Sequence, residues 1–448
     1  MSASARRLKL LRHVVDNLDR VEFKPGPIGE SDIPFIKGKI GPGFSVGIRK
    51  QAGESLVNLA DEIFSGNSRY QRGTTFPSVY DQLSDLIIES CLGRASGEIE
   101  DVDVTLIEKE INVWFNTKIG PRQLFVACLL SPTPGPPFSV GPVQFTYIDD
   151  FIPRSKTFSS GETFDLTFGH MFDEMRRDSA SWIATVDVAE CMEERAWELG
   201  ELAVDIAIVG IQLVVPIGHS GRMARASARI SPRVRSAISR AGTTVSVRGT
   251  NASPGRAMGP GALQHYLVQG AQVLQAVGPR IKVFLEGCGL LPVLEQAWAD
   301  AAYWFHEGLA EPLDTIAVSK LETAIEVLLR AQSSSGSKSR LLKAIHAFYG
   351  LTREQFINAD SQISVEKFAT GFVTDRSRIL HGTWSTLSQS LRDSRPALTA
   401  LVHGLLASYA FELETYLSDV GRSDNIEQFL SYVEARRRSA RLGATDPG

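Results

Sequence analysis

From Leu290 to the C-terminus every apolar run returns at intervals of three or four residues, and no alternating run interrupts the pattern. Helical periodicity covers 290–309, 313–331, 341–349, 365–381, 384–392, 396–417 and 426–438. In the second of these, Leu321, Ala324, Ile325, Leu328 and Leu329 fall on one side. The Ser/Gly-rich run 333–339 reads as a flexible loop and 436–448 as a fraying tail. Segments with only helical periodicity bury their stripes by packing helix on helix. Residues 286–448 are therefore expected to form an all-α bundle.

The first 285 residues have a different texture. Residues 79–93 look helical, whereas 102–107, 111–115, 124–130 and 143–148 look like strands. The proline-rich stretch 132–137 must be a loop. Residues 179–215 read as a long helix or helix pair, with Ala189, Met192, Ala196, Leu199, Leu202 and Ile206 on its apolar face. The expected fold class is α+β: an N-terminal mixed α/β domain, 1–285, with an antiparallel sheet, then the helical domain 286–448. A chain of 448 residues is long enough for two or three domains.

The net charge of −4 conceals an asymmetry. Residues 1–205 hold 21 basic and 31 acidic side chains, and residues 286–448 hold 16 and 20. Residues 206–285 hold ten basic side chains and no acidic one. Within them Arg222, Arg225, Arg229 and Arg233 are spaced like one helix face, although Pro232 interrupts it. Such a stripe either tracks an RNA backbone or pairs with the acidic first 205 residues. Aromatic residues do not alternate with these arginines, which speaks against base stacking there.

The four cysteines form no CxxC or Cys/His cluster, so no metal or cofactor is expected and the thiols read as reduced, in the cytoplasm. The N-terminus lacks the apolar core of a secretory signal. The apolar run 203–217 is shorter than the roughly 20 residues a spanning helix needs, so no membrane partner is expected.

One segment carries chemistry. Arg376-Ser377-Arg378-Ile379-Leu380-His381 is followed by Gly382. Arginine holds phosphate through a planar fork of donors, and histidine moves protons near neutral pH. Cleavage of RNA by its own 2′-hydroxyl needs a base, an acid and a cation for the developing charge, so His381 and Arg376 suit it. On a helix, positions five apart differ by about 140°, whereas Arg378 shares a face with His381. Arg376 therefore either wraps around the helix or meets the His381 of a second chain. A plainer alternative has His381 ending the helix with Gly382 after it. Glu322 reads as one wall of a buried ion pair or as a catalytic carboxylate.

The order of a helix with Lys320-Leu321-Glu322, a Ser/Gly-rich loop, and a helix ending Asp375-Arg-Ser-Arg-Ile-Leu-His-Gly382 resembles the Apea-like branch of the HEPN superfamily. The upstream stretch Ala297-Trp298…Trp304-Phe305 is similar too. The resemblance covers about residues 290–420. It implies a metal-independent endoribonuclease, used in phage defence, toxin–antitoxin or RNA-processing systems. It also implies a homodimer in which Arg376 and His381 of both protomers meet, supported by Ser377, Glu322 and Arg378. Other HEPN domains have lost catalysis and bind nucleotides, RNA or partners, which is the alternative expectation.

Overall fold

A computed structural model shows an α+β protein, with a small antiparallel sheet in the middle of the chain and a helical C-terminal part. The structure describes residues 3–22, 35–39, 44–158, 161–226, 234–241, 244–251, 258–331, 333–357, 362–388, 391, 394–418 and 422–444. Contacts divide the chain into two compact units: residues 1–122 with 188–198, and residues 123–187 with 199–448.

In chain order the elements begin with α1 (Ala3–Val15), β1 (Leu18–Glu22), β2 (Phe35–Lys39), β3 (Phe44–Ile48), α2 (Lys50–Ser65), α3 (Ser68–Gly73), α4 (Phe76–Cys91) and α5 (Asp101–Lys118). Then come β4 (Gly120–Leu129), β5 (Phe138–Val140), β6 (Val143–Tyr147), α6 (Ile148–Ser155), α7 (Gly161–Phe164), α8 (His170–Asp178), β7 (Trp182–Cys191), α9 (Glu193–Gln212), α10 (Ile217–Ser220) and β8 (Ala224–Arg225). A basic hairpin follows, β9 (Val234–Ala241) and β10 (Thr244–Asn251). The remaining helices are α11 (Ala262–Gln269), α12 (Ala271–Glu286), α13 (Pro292–Ala310), α14 (Asp314–Leu328), α15 (Ser334–Tyr349), α16 (Val365–Leu380), α17 (Ser394–Leu417) and α18 (Ile426–Ala444).

The first unit is a helical core built on α1, α2, α4 and α5, where Leu11, Leu56, Leu83, Ile87, Ile111 and Phe115 are buried together. In the second unit a five-stranded sheet runs β5-β6-β7-β4-β8. The turn between β5 and β6 lies directly against α12. Gly141 has φ +56°, and a Cβ there would meet the carbonyl oxygen of Gly278 at 2.5 Å. Only a glycine pair permits this approach of turn to helix.

Several sequence expectations need correction. Residues 102–107 and 111–115 are not strands but parts of α5. Asp103 accepts the Glu100 N–H at 2.8 Å, and Val104, Ile107, Ile111 and Phe115 form the buried stripe. The supposed helix over 179–215 begins as the strand β7, and only α9 is helical. The Ser-rich run 333–339 starts α15, capped by the Ser333 hydroxyl, which accepts the Gly336 N–H. Residues 384–388 form turns rather than a helix, and the C-terminal helix continues to Ala444. Helix α12 runs through position 285, where the sequence changes texture. That helix buries Val277, Ile281 and Leu285, and its buried Arg280 reaches Glu295 on α13 and Glu414 on α17, both at 2.5 Å.

The 24-residue α17, and not the run 203–217, is the stretch long and apolar enough to cross a membrane by length and composition among the described residues. Its buried residues include Leu398, Val402, Leu406, Tyr409 and Leu413. Tyr409 donates to the Leu294 carbonyl of α13, and Leu406 accepts the Trp298 indole N–H.

Candidate functional site

Helix α16 forms where the sequence places it. The Ser364 hydroxyl caps its start by accepting the Lys367 N–H at 3.2 Å. Val365, Ala369, Phe372 and Ile379 are its buried positions. Arg376 occupies the missing place in that 4, 3, 4, 3 spacing, so it lies on the inward stripe. The helix ends at His381. Gly382 follows with φ +68° and donates to Ile379 O at 3.1 Å, a left-handed cap suited to glycine.

The inward arginine meets carboxylates from α14. Arg376 Nη1 lies 2.7 Å from Glu326 Oε2, and Glu326 Oε1 accepts the hydroxyl of buried Ser337 of α15, also at 2.7 Å. One turn earlier, Glu322 is 1% exposed. Burial pushes its carboxyl up to about 10, the neighbouring Asp375 charge adds to this, and Arg376 acts in the opposite direction. Glu322 is thus neutral at pH 7. Burial also raises Asp375, against the pull of Arg378. Glu322 Oε2 and Arg376 Nε have no hydrogen-bond partner among the described residues.

Beyond the stripe, His381 and Arg378 are exposed and Ser377 is half-buried. The Arg378 guanidinium sits over the Trp384 ring, 4.8 Å from its centre. The structure brings Glu322 close enough to Arg376 for the guanidinium to act on its carboxyl, while the carboxylate 2.7 Å from Arg376 is that of Glu326. Arg376 belongs to the inward stripe and His381 to the exposed helix end, in keeping with the 140° between their positions. Sequence reasoning missed Glu326, Asp375, Ser337 and Trp384. Glu326 had a signal: it stands four residues after Glu322, hence on the same face of α14.

The basic segment is not one helix face. Arg225 lies in β8, and its guanidinium contacts Asp205 at 3.0 Å and Glu201 at 2.7 Å, both on α9. Asp205 is buried, with the buried His306 of α13 at 4.0 Å. Arg225 and Arg280 are thus held internally, and Asp205 and Glu201 come from the acidic first 205 residues. Arg222 is exposed, while Arg229 and Arg233 lie outside the described residues. Arg235, Arg240 and Arg248 lie in the hairpin β9–β10, where position 235 pairs with 250, 237 with 248 and 240 with 245.

Among the described residues no group of three or more His, Cys, Asp or Glu side chains could hold a metal ion. Compared with known proteins, the chain matches no family model, no curated protein and no solved structure.

Proposed function

We propose that the chain is a metal-independent endoribonuclease of HEPN type, acting as a homodimer through its helical C-terminal part. The supporting observation is the construction of α16. A guanidinium is held from behind by Glu326, with 28% of its side chain still accessible, and an imidazole stands in solvent at the helix end. In this reading His381 takes the 2′-hydroxyl proton as general base, and the leaving 5′-oxygen takes its proton from water. Arg376 offsets the charge that develops on phosphorus. Because the two residues occupy different sides of one helix, a working pair draws Arg376 from one chain and His381 from the other. Arg222, an exposed cation of the basic segment, would contribute to the positive surface that an RNA backbone needs. A place in phage defence or a toxin-like system, in the cytoplasm, is part of the same proposal and rests on the resemblance alone.

A second reading, a catalytically silent HEPN module that binds nucleotide or RNA or serves as a dimeric adaptor, is favoured by the structural employment of both residues. Arg376 is an ion-pair partner of α14, and His381 precedes the glycine cap. Incubating the pure protein with total tRNA in EDTA separates the two. The nuclease reading expects fragments from the native chain and none from His381→Ala, with fold and dimer retained. An inactive native chain would favour the silent module, whereas full activity in that variant would remove His381 from the chemistry.

A further inference from the structure

We propose that Arg378 and Trp384 form a stacking subsite for an unpaired nucleobase beside His381. This rests on the reading that the chain engages RNA and adds what part of the RNA is held there. The chain reverses at Gly382 and returns across the last turn of α16. The Arg378 carbonyl accepts two bonds from the returning strand, the Trp384 N–H at 3.0 Å and the Thr383 hydroxyl at 3.1 Å. These fix the backbone of Trp384, and the Arg378 guanidinium lies over its ring. Trp384 is half-buried, so it is not a core residue. Around the corner, Arg378, His381, Gly382 and Thr383 are exposed, and Leu380 and Leu387 are 59% and 82% exposed.

Unpaired bases stack on aromatic rings and on guanidinium planes, and an exposed guanidinium held over a tryptophan ring offers both kinds of surface at one place. Stacking accepts any base, because every base has a π face. The ligand class is therefore the unpaired nucleotide of a loop or single strand, without strong sequence preference. His381 lies between the two stacking residues in sequence, so a base held there brings its sugar and phosphate to the imidazole end of α16. Arg378 and Trp384 are in this sense specificity residues, selecting single strands over duplex.

The test uses the intact native protein and fluorescein-labelled 2′-O-methyl RNA 12-mers, which cannot be cut through a 2′-hydroxyl. One probe carries unstructured mixed bases, and the other has the same backbone with abasic sites. Anisotropy should show the base-bearing probe bound about tenfold more tightly. Trp384→Ala should bring that ratio close to one while leaving the abasic affinity in place, and Trp384→Phe should keep most of it. Arg378→Lys, which retains charge but not the plane, should lower the ratio without a matching loss for the abasic probe. The proposal is overturned if the native protein shows no base preference, if Trp384→Ala keeps it, or if both probes weaken in parallel. Cleavage is read separately on tRNA. Base preference without cleavage removes the nuclease and leaves the subsite, and cleavage without base preference does the reverse.

Discussion

Glu322→Gln should make the protein more stable at neutral and alkaline pH, by an amount that grows with pH. The Glu322 carboxyl is 1% exposed and held at about 10, against 4.5 for an ordinary glutamate. The charged groups acting on it are Glu326 on its own helix and Asp375 and Arg376 on α16. Between those two values the folded chain keeps a proton that the unfolded chain releases. Stability tied to Glu322 is therefore fully present below pH 4.5 and is lost as pH rises towards about 10. Each proton contributes a slope of about 1.4 kcal/mol per pH unit, so the cost at pH 7 is about 3 kcal/mol relative to the acid limit. Glutamine has nearly the same shape, keeps a donor and cannot ionise. Urea unfolding at pH 5 to 9, at constant ionic strength, should give a steeper fall for the native chain than for the variant. Parallel pH profiles would refute the reasoning, because they would mean that Arg376 keeps Glu322 ionised in the folded state.

Other substitutions separate structural from chemical roles. Arg376→Ala should cost about 2 kcal/mol in urea unfolding, since it strips Glu326 of its ion pair in a mostly buried site, whereas His381→Ala should stay within about 0.5 kcal/mol. Arg225→Ala should cost about 3 kcal/mol by leaving buried Asp205 without its cation, and the salt dependence of RNA binding should not change. Gly382→Ala meets no neighbour but forces a side chain into φ +68°, so it should cost about 1 kcal/mol and weaken any activity that depends on the corner carrying His381.

The helical C-terminal part was legible because its apolar residues recur at three and four, although 384–388 carry that spacing without forming a helix. Local alternation misled elsewhere. Val102, Val104 and Leu106 alternate with polar residues like a strand, yet Val102 and Leu106 are 65% and 49% exposed, and the cap made by Asp103 decides for helix. The reverse happened at 182–191, where Ala189 was drawn into a helical stripe although Ile183, Thr185, Val186 and Val188 favour a strand. The Ser333 run looked like a loop because serine and glycine dominate it, but a capping hydroxyl and the bond from Ser337 to Glu326 start a helix there. In the site, the inward position of Arg376 could be read from spacing alone. Its pairing with Glu326 rather than Glu322, and the fold-back that sets Trp384 under Arg378, depend on tertiary packing that no local pattern encodes.

The most direct test of the composite site is complementation between two inactive variants. Arg376→Gln, which keeps a hydrogen-bond donor towards Glu326, and His381→Ala are each assayed on tRNA in EDTA, then mixed in equal amounts after dissociation and reassembly. If Arg376 of one chain works with His381 of the other, half the dimers are mixed and each has one intact pair. The mixture should then recover about a quarter of native activity while each variant alone stays inactive. A mixture as inactive as its parts, beside a native chain that cleaves, would contradict the shared site and place both residues in one chain.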